Sequence, residues 1–313
     1  MPGIGIVTNP HSRRNRRFPE QMRRLGYILG KDDTYELTNQ TQDIARVAEE
    51  FKENQIDVLA LNGGDGTNHV TLTTFIKVYG DTPLPKIAFL RGGTMNTISN
   101  AIGARGTPGQ ILLNLVERYY TTGDFDITER DIMKVSDNTG ERYGFIFGNG
   151  LISNFLDLYY GTGNPSPSIA ARLLTRAVFS AMVGGETSRK LFKDFEAEVE
   201  LDNERWPMAS YKSLMISTIE QIGLGWRPFT RCEERVGAFH VAAVKGSKME
   251  VARALPALRM GRRVDDAVIT DTISSTAVIR SNEEIVYTID GDMHRAFPEV
   301  RIETGPRIQI ILG

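Results

Sequence analysis

Gly63-Gly64-Asp65-Gly66-Thr67 sets three glycines and a carboxylate between an apolar run and a helical segment. Glycines admit positive φ and let a ligand approach the bare backbone, while a helix start offers unpaired N–H groups to an anion. Phosphate is the guest that such a loop suits. A carboxylate there would repel phosphate unless positive charge compensates it, so Asp65 implies Mg2+ held directly or through water. The plainer reading is a β-to-α turn with Asp65 as a helix cap. Arg91-Gly92-Gly93-Thr94-Met95-Asn96 repeats the device. Here Thr94 and Asn96 offer a hydroxyl and an amide to ribose or phosphate, and serve equally well as caps. Two such turns side by side would suit a polyphosphate. Near the C-terminus, Asp290-Gly291-Asp292 follows the apolar run Glu284 to Ile289. A carboxylate so placed can take the proton of an alcohol as its oxygen bonds to a γ-phosphoryl group. Composition alone favours an ordinary Asp-Gly hairpin turn.

These residues need elements to carry them. Strands are expected at residues 3–8, 34–37, 57–61 and 86–90, alternating with helices at about 18–29, from 41, up to 79 and up to 102. Ile44, Val47, Ala48 and Phe51 recur at helical spacing, with Asp43 in the first turn, where it complements the helix dipole. This is the pattern of a parallel sheet with crossover helices, and it sets both glycine turns on the carboxyl edge where such sheets bind ligands. After about Gly123 the texture changes to Val-, Ile- and Phe-rich strands separated by turn residues, which predicts a mostly antiparallel second domain. The boundary is read near Asp126: an α/β domain over 1–126 and a β-sandwich over 127–313, whose last run, Arg307 to Leu312, could return to either. Ser168 to Val183 and Ser247 to Met260 read as helices, the second kinked or shortened by Pro256.

A chain of 313 residues with 41% hydrophobic and 24% charged residues can bury a real core, which excludes disordered and collagen-like classes. Lys and Arg number 37 against 39 Asp and Glu, so the net charge of -2 supplies no global field for nucleic acid. One cysteine, Cys232, excludes an internal disulfide and a multi-cysteine zinc site and fits a cytoplasmic setting, and four histidines argue against a His-rich metal site. The N-terminus lacks the order of a secretory signal, and no apolar run reaches the length that spans a bilayer. Positive charge nevertheless gathers at Arg13, Arg14, Arg16, Arg17, Arg23 and Arg24. These arginines could meet ATP phosphates or anionic lipid headgroups, or simply form a solvated face. The Ser168 to Val183 segment is apolar around most of its circumference. It reads as core or interface, a wall for an acyl chain, or a dimer contact.

Taken in order, Asn9-Pro10-His11-Ser12, Gly63 to Thr67, Gly93-Thr94-Met95-Asn96 and Asp290-Gly291-Asp292 resemble the markers of the diacylglycerol kinase catalytic-domain superfamily. That superfamily includes bacterial lipid kinases, sphingosine kinases and ceramide kinases. The resemblance implies a nucleotide domain related to NAD kinase, a β-sandwich carrying a lipid pocket, and an active site between them. It further implies ATP- and Mg2+-dependent phosphorylation of a lipid hydroxyl, diacylglycerol-like or sphingoid-like, by a peripheral protein at a membrane surface. By resemblance, Asn9, Ser12, Gly63, Gly64, Asp65, Gly66, Thr67, Gly93, Thr94 and Asn96 hold the nucleotide. Asp65 and Asp126 join a water and Mg2+ network, Asp290 is the general base, and Asp292 stands where glutamate is usual. Departures occur at Thr97 for an aspartate, Arg91 for a proline, Val70 for a glutamate and Arg13 for a glycine. They motivate an alternative, a nucleotide- or lipid-binding member with weak or no kinase activity. A soluble-substrate kinase resembling NAD kinase ranks lower, because the first and last markers match the lipid branch.

Overall fold

The computed structural model describes residues 3–30, 33–38, 40–163, 166–183 and 185–312. The chain divides into two compact units, residues 1–130 with 307–313, and residues 131–306. The division falls after Arg130 rather than Asp126, and the last strand closes back on the first unit.

In the first unit, β1 (Ile4–Thr8), α1 (Arg13–Arg17), α2 (Pro19–Arg24), β2 (Thr34–Leu37), α3 (Thr41–Glu53), β3 (Val58–Asn62), α4 (Asp65–Tyr79), β4 (Lys86–Phe89), α5 (Thr97–Ala101) and α6 (Pro108–Thr121) follow in order. β1 pairs in parallel with β2 and β3, and β3 with β4, in the register Ile4 to Val58 and Leu59 to Ile87. Every residue of β1 and β3 is buried, which is why both read as unbroken apolar runs rather than alternating ones. α3 starts with a reciprocal cap, in which the Gln40 N–H donates to Asp43 Oδ2 at 2.9 Å. The helix expected over residues 18–29 is instead α2 and a single 3-10 turn, Leu25–Tyr27, preceded by the separate short helix α1. Pro19 has no N–H to continue a helix, so the chain restarts there. α6 had no counterpart in the sequence reading, although Thr107 and Gln110 form a capping box and Pro108 opens it. Its Ile111, Leu112 and Leu115 pack with Ile4, Ile6, Val58 and Ala60 in one core.

The second unit is mostly antiparallel. Its elements are β5 (Ile127–Asp137, entering from the first unit), β6 (Gly140–Gly144), β7 (Ile146–Asn149), α7 (Leu151–Tyr160), α8 (Pro167–Val183), α9 (Glu186–Leu191), β8 (Phe195–Glu196), β9 (Glu198–Leu201), β10 (Glu204–Arg205), β11 (Ser210–Tyr211), β12 (Ser213–Ser217), β13 (Phe239–Val244), α10 (Lys248–Arg259), β14 (Ile269–Ser274), β15 (Thr276–Arg280), β16 (Ile285–Ile289), β17 (Asp292–Ala296) and β18 (Glu299–Ile311). One sheet runs β10-β9-β15-β18 with β5 and β6 beside it, a second runs β14-β13-β12-β7-β16-β17, and β8 and β11 pair separately. Side chains from both sheets, among them Met133, Phe147, Val199, Ile216, Val241, Ile279, Tyr287 and Ile302, share one core, so the unit is a sandwich. β6 and β7 are separated by a break at Phe145. α8 starts one residue early, because the Ser166 Oγ, not Ser168, accepts the N–H of Ile169 at 3.3 Å. Pro256 sits in the last turn of α10 without cutting it. Among the described residues, no helix is long and apolar enough to cross a membrane.

Candidate active site

The loops after β1, β3 and β4 meet at the carboxyl edge of the parallel sheet. The Asn9 N–H donates to the Asn62 carbonyl at 3.2 Å, and the Asn9 Nδ2 donates to Thr67 Oγ1 at 2.9 Å. Ser12 Oγ lies 3.3 Å from the same Thr67 hydroxyl. Beneath them Asn15, 3% exposed, donates from Nδ2 to the carbonyls of Asn9 (2.8 Å) and Asn62 (3.0 Å). Asn15 thereby ties α1 to the ends of β1 and β3. α4 begins at Asp65 with Gly64 extended at its N-cap, so no N-cap side chain covers the first turn of the helix. Asp65, Gly66 and Thr67 are thus the first turn of a helix, not a free loop. The second glycine turn packs directly on the first. A Cβ on Gly93 would stand 2.3 Å from the Gly64 Cα, so only glycine lets the two backbones approach this closely. Asn96 is left-handed (φ 48°), and its amide closes on the Gly93 N–H at 3.0 Å and the Gly93 carbonyl at 3.3 Å. Arg91, also at positive φ, donates from Nη1 to the Ala104 carbonyl, so its guanidinium braces the loop after α5. Thr94 lies in the short bend between Gly93 and Asn96.

The two aspartates read as metal ligands are engaged by the protein. Asp65 Oδ2 accepts the Thr97 N–H at 3.0 Å and Oδ1 accepts the Ile98 N–H at 3.2 Å, so this carboxylate caps α5. Burial raises the Asp65 pKa, while the N–H groups of Thr97 and Ile98 and the Thr97 hydroxyl pull against it. Asp126 is exposed and accepts Arg118 Nη1 at 3.0 Å. Mg2+ takes hard oxygens in a strict octahedron, commonly one or two carboxylates with phosphates and waters. A carboxylate whose oxygens already cap a helix, and another held by an arginine, do not fit an ion ligated directly by the protein. Among the described residues, no group of three or more His, Cys, Asp or Glu side chains is placed to hold a metal.

In the second unit, Asp290 and Gly291 are the two central residues of the hairpin joining β16 to β17, with φ of 50° and 96°. Both positive values define the primed turn that Asp-Gly favours. The plainer sequence reading is therefore correct as geometry, and it leaves the carboxylate in an unusual setting. Asp290 is 6% exposed. Its Oδ1 accepts the N–H groups of Phe145 (3.0 Å) and Ile146 (2.9 Å), and Oδ2 shares the first at 3.1 Å. The break between β6 and β7 at Phe145 supplies these donors. A Cβ on Gly144 would fall 2.7 Å from Asp290 Oδ2 and 2.2 Å from Ile289 Cγ2, so glycine at that position makes room for the carboxylate. Tyr160 Oη donates to the Gly291 carbonyl at 2.8 Å and steadies the turn from α7. Asp292 is the first residue of β17, opposite Ile289.

Residues 4–125 match the family profile of the diacylglycerol kinase catalytic domain. The match takes in nearly all of the first unit's contiguous stretch. No curated protein matches the chain in sequence. Three solved structures from Bacillus anthracis str. Sterne share the fold. One, of a diacylglycerol kinase, has a TM-score of 0.70 at 15% identity, covering 100% of this chain and 97% of that one. Two others, assigned to diacylglycerol kinases provisionally, give 0.73 at 15% and 0.72 at 17%, with the same coverage. At such identities the likeness is one of fold, and it extends through the sandwich beyond the residues the family profile matches. Within the first unit, the sequence reading missed Asn15, which shows only as one amide inside a run of arginines. In the sandwich it missed Gly144 and Tyr160, whose partners lie far away in the sequence.

Proposed function

We propose that the protein is an ATP-dependent lipid kinase that phosphorylates a hydroxyl of a diacylglycerol-like or sphingoid-like lipid. The observation that carries this reading is the backbone contact of Gly93 on Gly64 beside the uncapped start of α4. It builds a side-chain-free cradle from two loops, which is what a polyphosphate needs. In this reading the N–H groups at the start of α4 receive phosphate oxygens, and the Thr67, Ser12 and Asn9 side chains orient them. Mg2+ enters as the counter-ion of the nucleotide phosphates. Asp290 accepts the lipid hydroxyl proton as the lipid oxygen bonds to the γ-phosphorus and the bond from that phosphorus to the bridging oxygen breaks, releasing ADP. Its backbone bonds fix the carboxylate, so no reorganisation is needed in the transition state. The substrate places the protein at a membrane surface during turnover. The experiment is transfer of labelled γ-phosphate to diacylglycerol and to a sphingoid base in mixed micelles, and absence of product with every lipid refutes the reading.

The engagement of Asp65 by α5, with Thr97 beside it, favours a second reading, a nucleotide-binding protein with little turnover. Calorimetric titration with ATP separates the two, since binding without phosphoryl transfer selects the second.

A further inference from the structure

A groove apart from the glycine turns runs between α1, α2 and the start of α6, with a volume of about 330 Å³. Its lining includes Phe18, Met22, Leu25 and Pro108, and two guanidinium groups, Arg14 and Arg24, stand in its walls. Met22 is 9% and Leu25 1% exposed, so the apolar floor belongs to the core, whereas Phe18 is 38% exposed. The local charge is lopsided. Six arginines lie between Arg13 and Gly30 against one acid, Glu20, and Glu20 is taken by Arg23 at 3.0 Å. Among the described residues, neither Arg14 nor Arg24 is paired with a carboxylate. Phe18 instead has the guanidinium carbons of Arg14 and Arg17 at 5.9 Å and 5.3 Å from its ring centroid, which keeps the Arg14 cation beside the groove's aromatic wall.

An apolar floor with two unneutralised cations above it is the complement of one kind of molecule. The geometry points to a binding site for a single anionic amphiphile, whose phosphate or carboxylate head meets Arg14 and Arg24 and whose short apolar body lies on Phe18, Met22, Leu25 and Pro108. The volume suits a small ligand. A nucleotide base would find few partners on the apolar floor, and a bilayer would not reach Leu25 at the bottom of a concave site. α1 carries Arg14 next to Asn15, the residue bonded to the carbonyls of Asn9 and Asn62, so an occupant would press on the helix that braces the phosphate loops.

The test uses the full chain without nucleotide, so it stands or falls apart from the kinase reading. Decyl phosphate, kept below its micelle-forming concentration, is titrated by calorimetry. One site per chain is expected, with affinity that falls as salt rises. Arg14→Gln with Arg24→Gln should weaken binding by about tenfold or more, as loss of charge-assisted contacts implies. Phe18→Ser, at an exposed position, should weaken it independently, and Arg16→Gln, outside the groove, should not. Inorganic phosphate and decanol should each bind about tenfold more weakly than the amphiphile, since each offers half of the match. The proposal is overturned if the double arginine variant binds as the parent does, or if inorganic phosphate binds as well as decyl phosphate. It is also overturned if anionic vesicles bind while the monomeric amphiphile does not.

Discussion

Asp290 occupies a position where structure and chemistry can be separated by choice of substitution. In Asp290→Asn the turn survives, because Asn tolerates the left-handed conformation and its Oδ1 can still accept the Phe145 and Ile146 N–H groups at 3.0 Å and 2.9 Å. What is lost is the ionic strengthening of those bonds, about 1–2 kcal/mol. In Asp290→Ala both acceptors vanish, leaving buried N–H groups orphaned, and a side chain without local hydrogen bonding is held at φ 50°. Orphaned groups cost about 1–3 kcal/mol each and the conformation about 1–2, so for the two N–H groups a loss of about 3–8 kcal/mol is expected. Equilibrium urea unfolding at neutral pH measures both variants. Phosphoryl transfer to a micellar lipid should fall in both by about 10²–10⁴, the range for removing a general base. Two results would refute the reasoning. Full turnover in Asp290→Asn removes the carboxylate from the chemistry, and equal stability of the two variants removes the backbone bonds from the account of the turn.

Three further outcomes are expected. Gly93→Ala must force its loop away from the Gly64 backbone, at a strain of about 1–3 kcal/mol, and ATP affinity should drop in calorimetry; parent-like affinity would contradict the two-loop cradle. Thr97→Asp puts a second carboxylate beside Asp65, so the variant should lose thermal stability in buffer and regain it with millimolar Mg2+, whereas the parent's Tm should not respond; an equal response in both would show that the parent holds the ion. Burial, with the nearby Arg142 charge, lowers the His294 pKa to about 4. Because the folded protein holds His294 neutral, its contribution is complete above the ordinary histidine pKa of about 6.5 and is lost as pH falls toward 4. Urea midpoints of His294→Gln should therefore depend less on pH across that window, and an unchanged slope would contradict this.

The sequence reveals the parallel half of the molecule because strands buried on both faces, such as Val58 to Asn62, leave continuous apolar runs ending in glycine. The glycine turns were visible for the same reason, since bare backbone has a composition. Asp65 shows where this stops. Its type and place allowed either a cation partner or a helix cap, and only the position of the Thr97 and Ile98 N–H groups shows that it caps α5. Asp290 was legible as a hairpin turn from its glycine neighbour, but its burial depends on Gly144 and on a strand break at Phe145, both remote in the chain. The helix α6 escaped because its capping box, Thr107 to Gln110, follows a run without strong periodicity.

The last strand has a practical consequence for anyone wishing to isolate the first unit. Ile310 pairs in parallel with Ile87, the Leu312 N–H donates to the Asp126 carbonyl, and Ile311 packs in the core with Ile4 and Ile6. A fragment cut at residue 130 would therefore expose the β4 edge as a template for pairing with other chains. The folding unit is not a contiguous stretch of gene. Expressing it alone calls for residues 307–312 to be grafted back or added as a separate peptide, and the same splice makes strand complementation a direct assay of how much those six residues contribute.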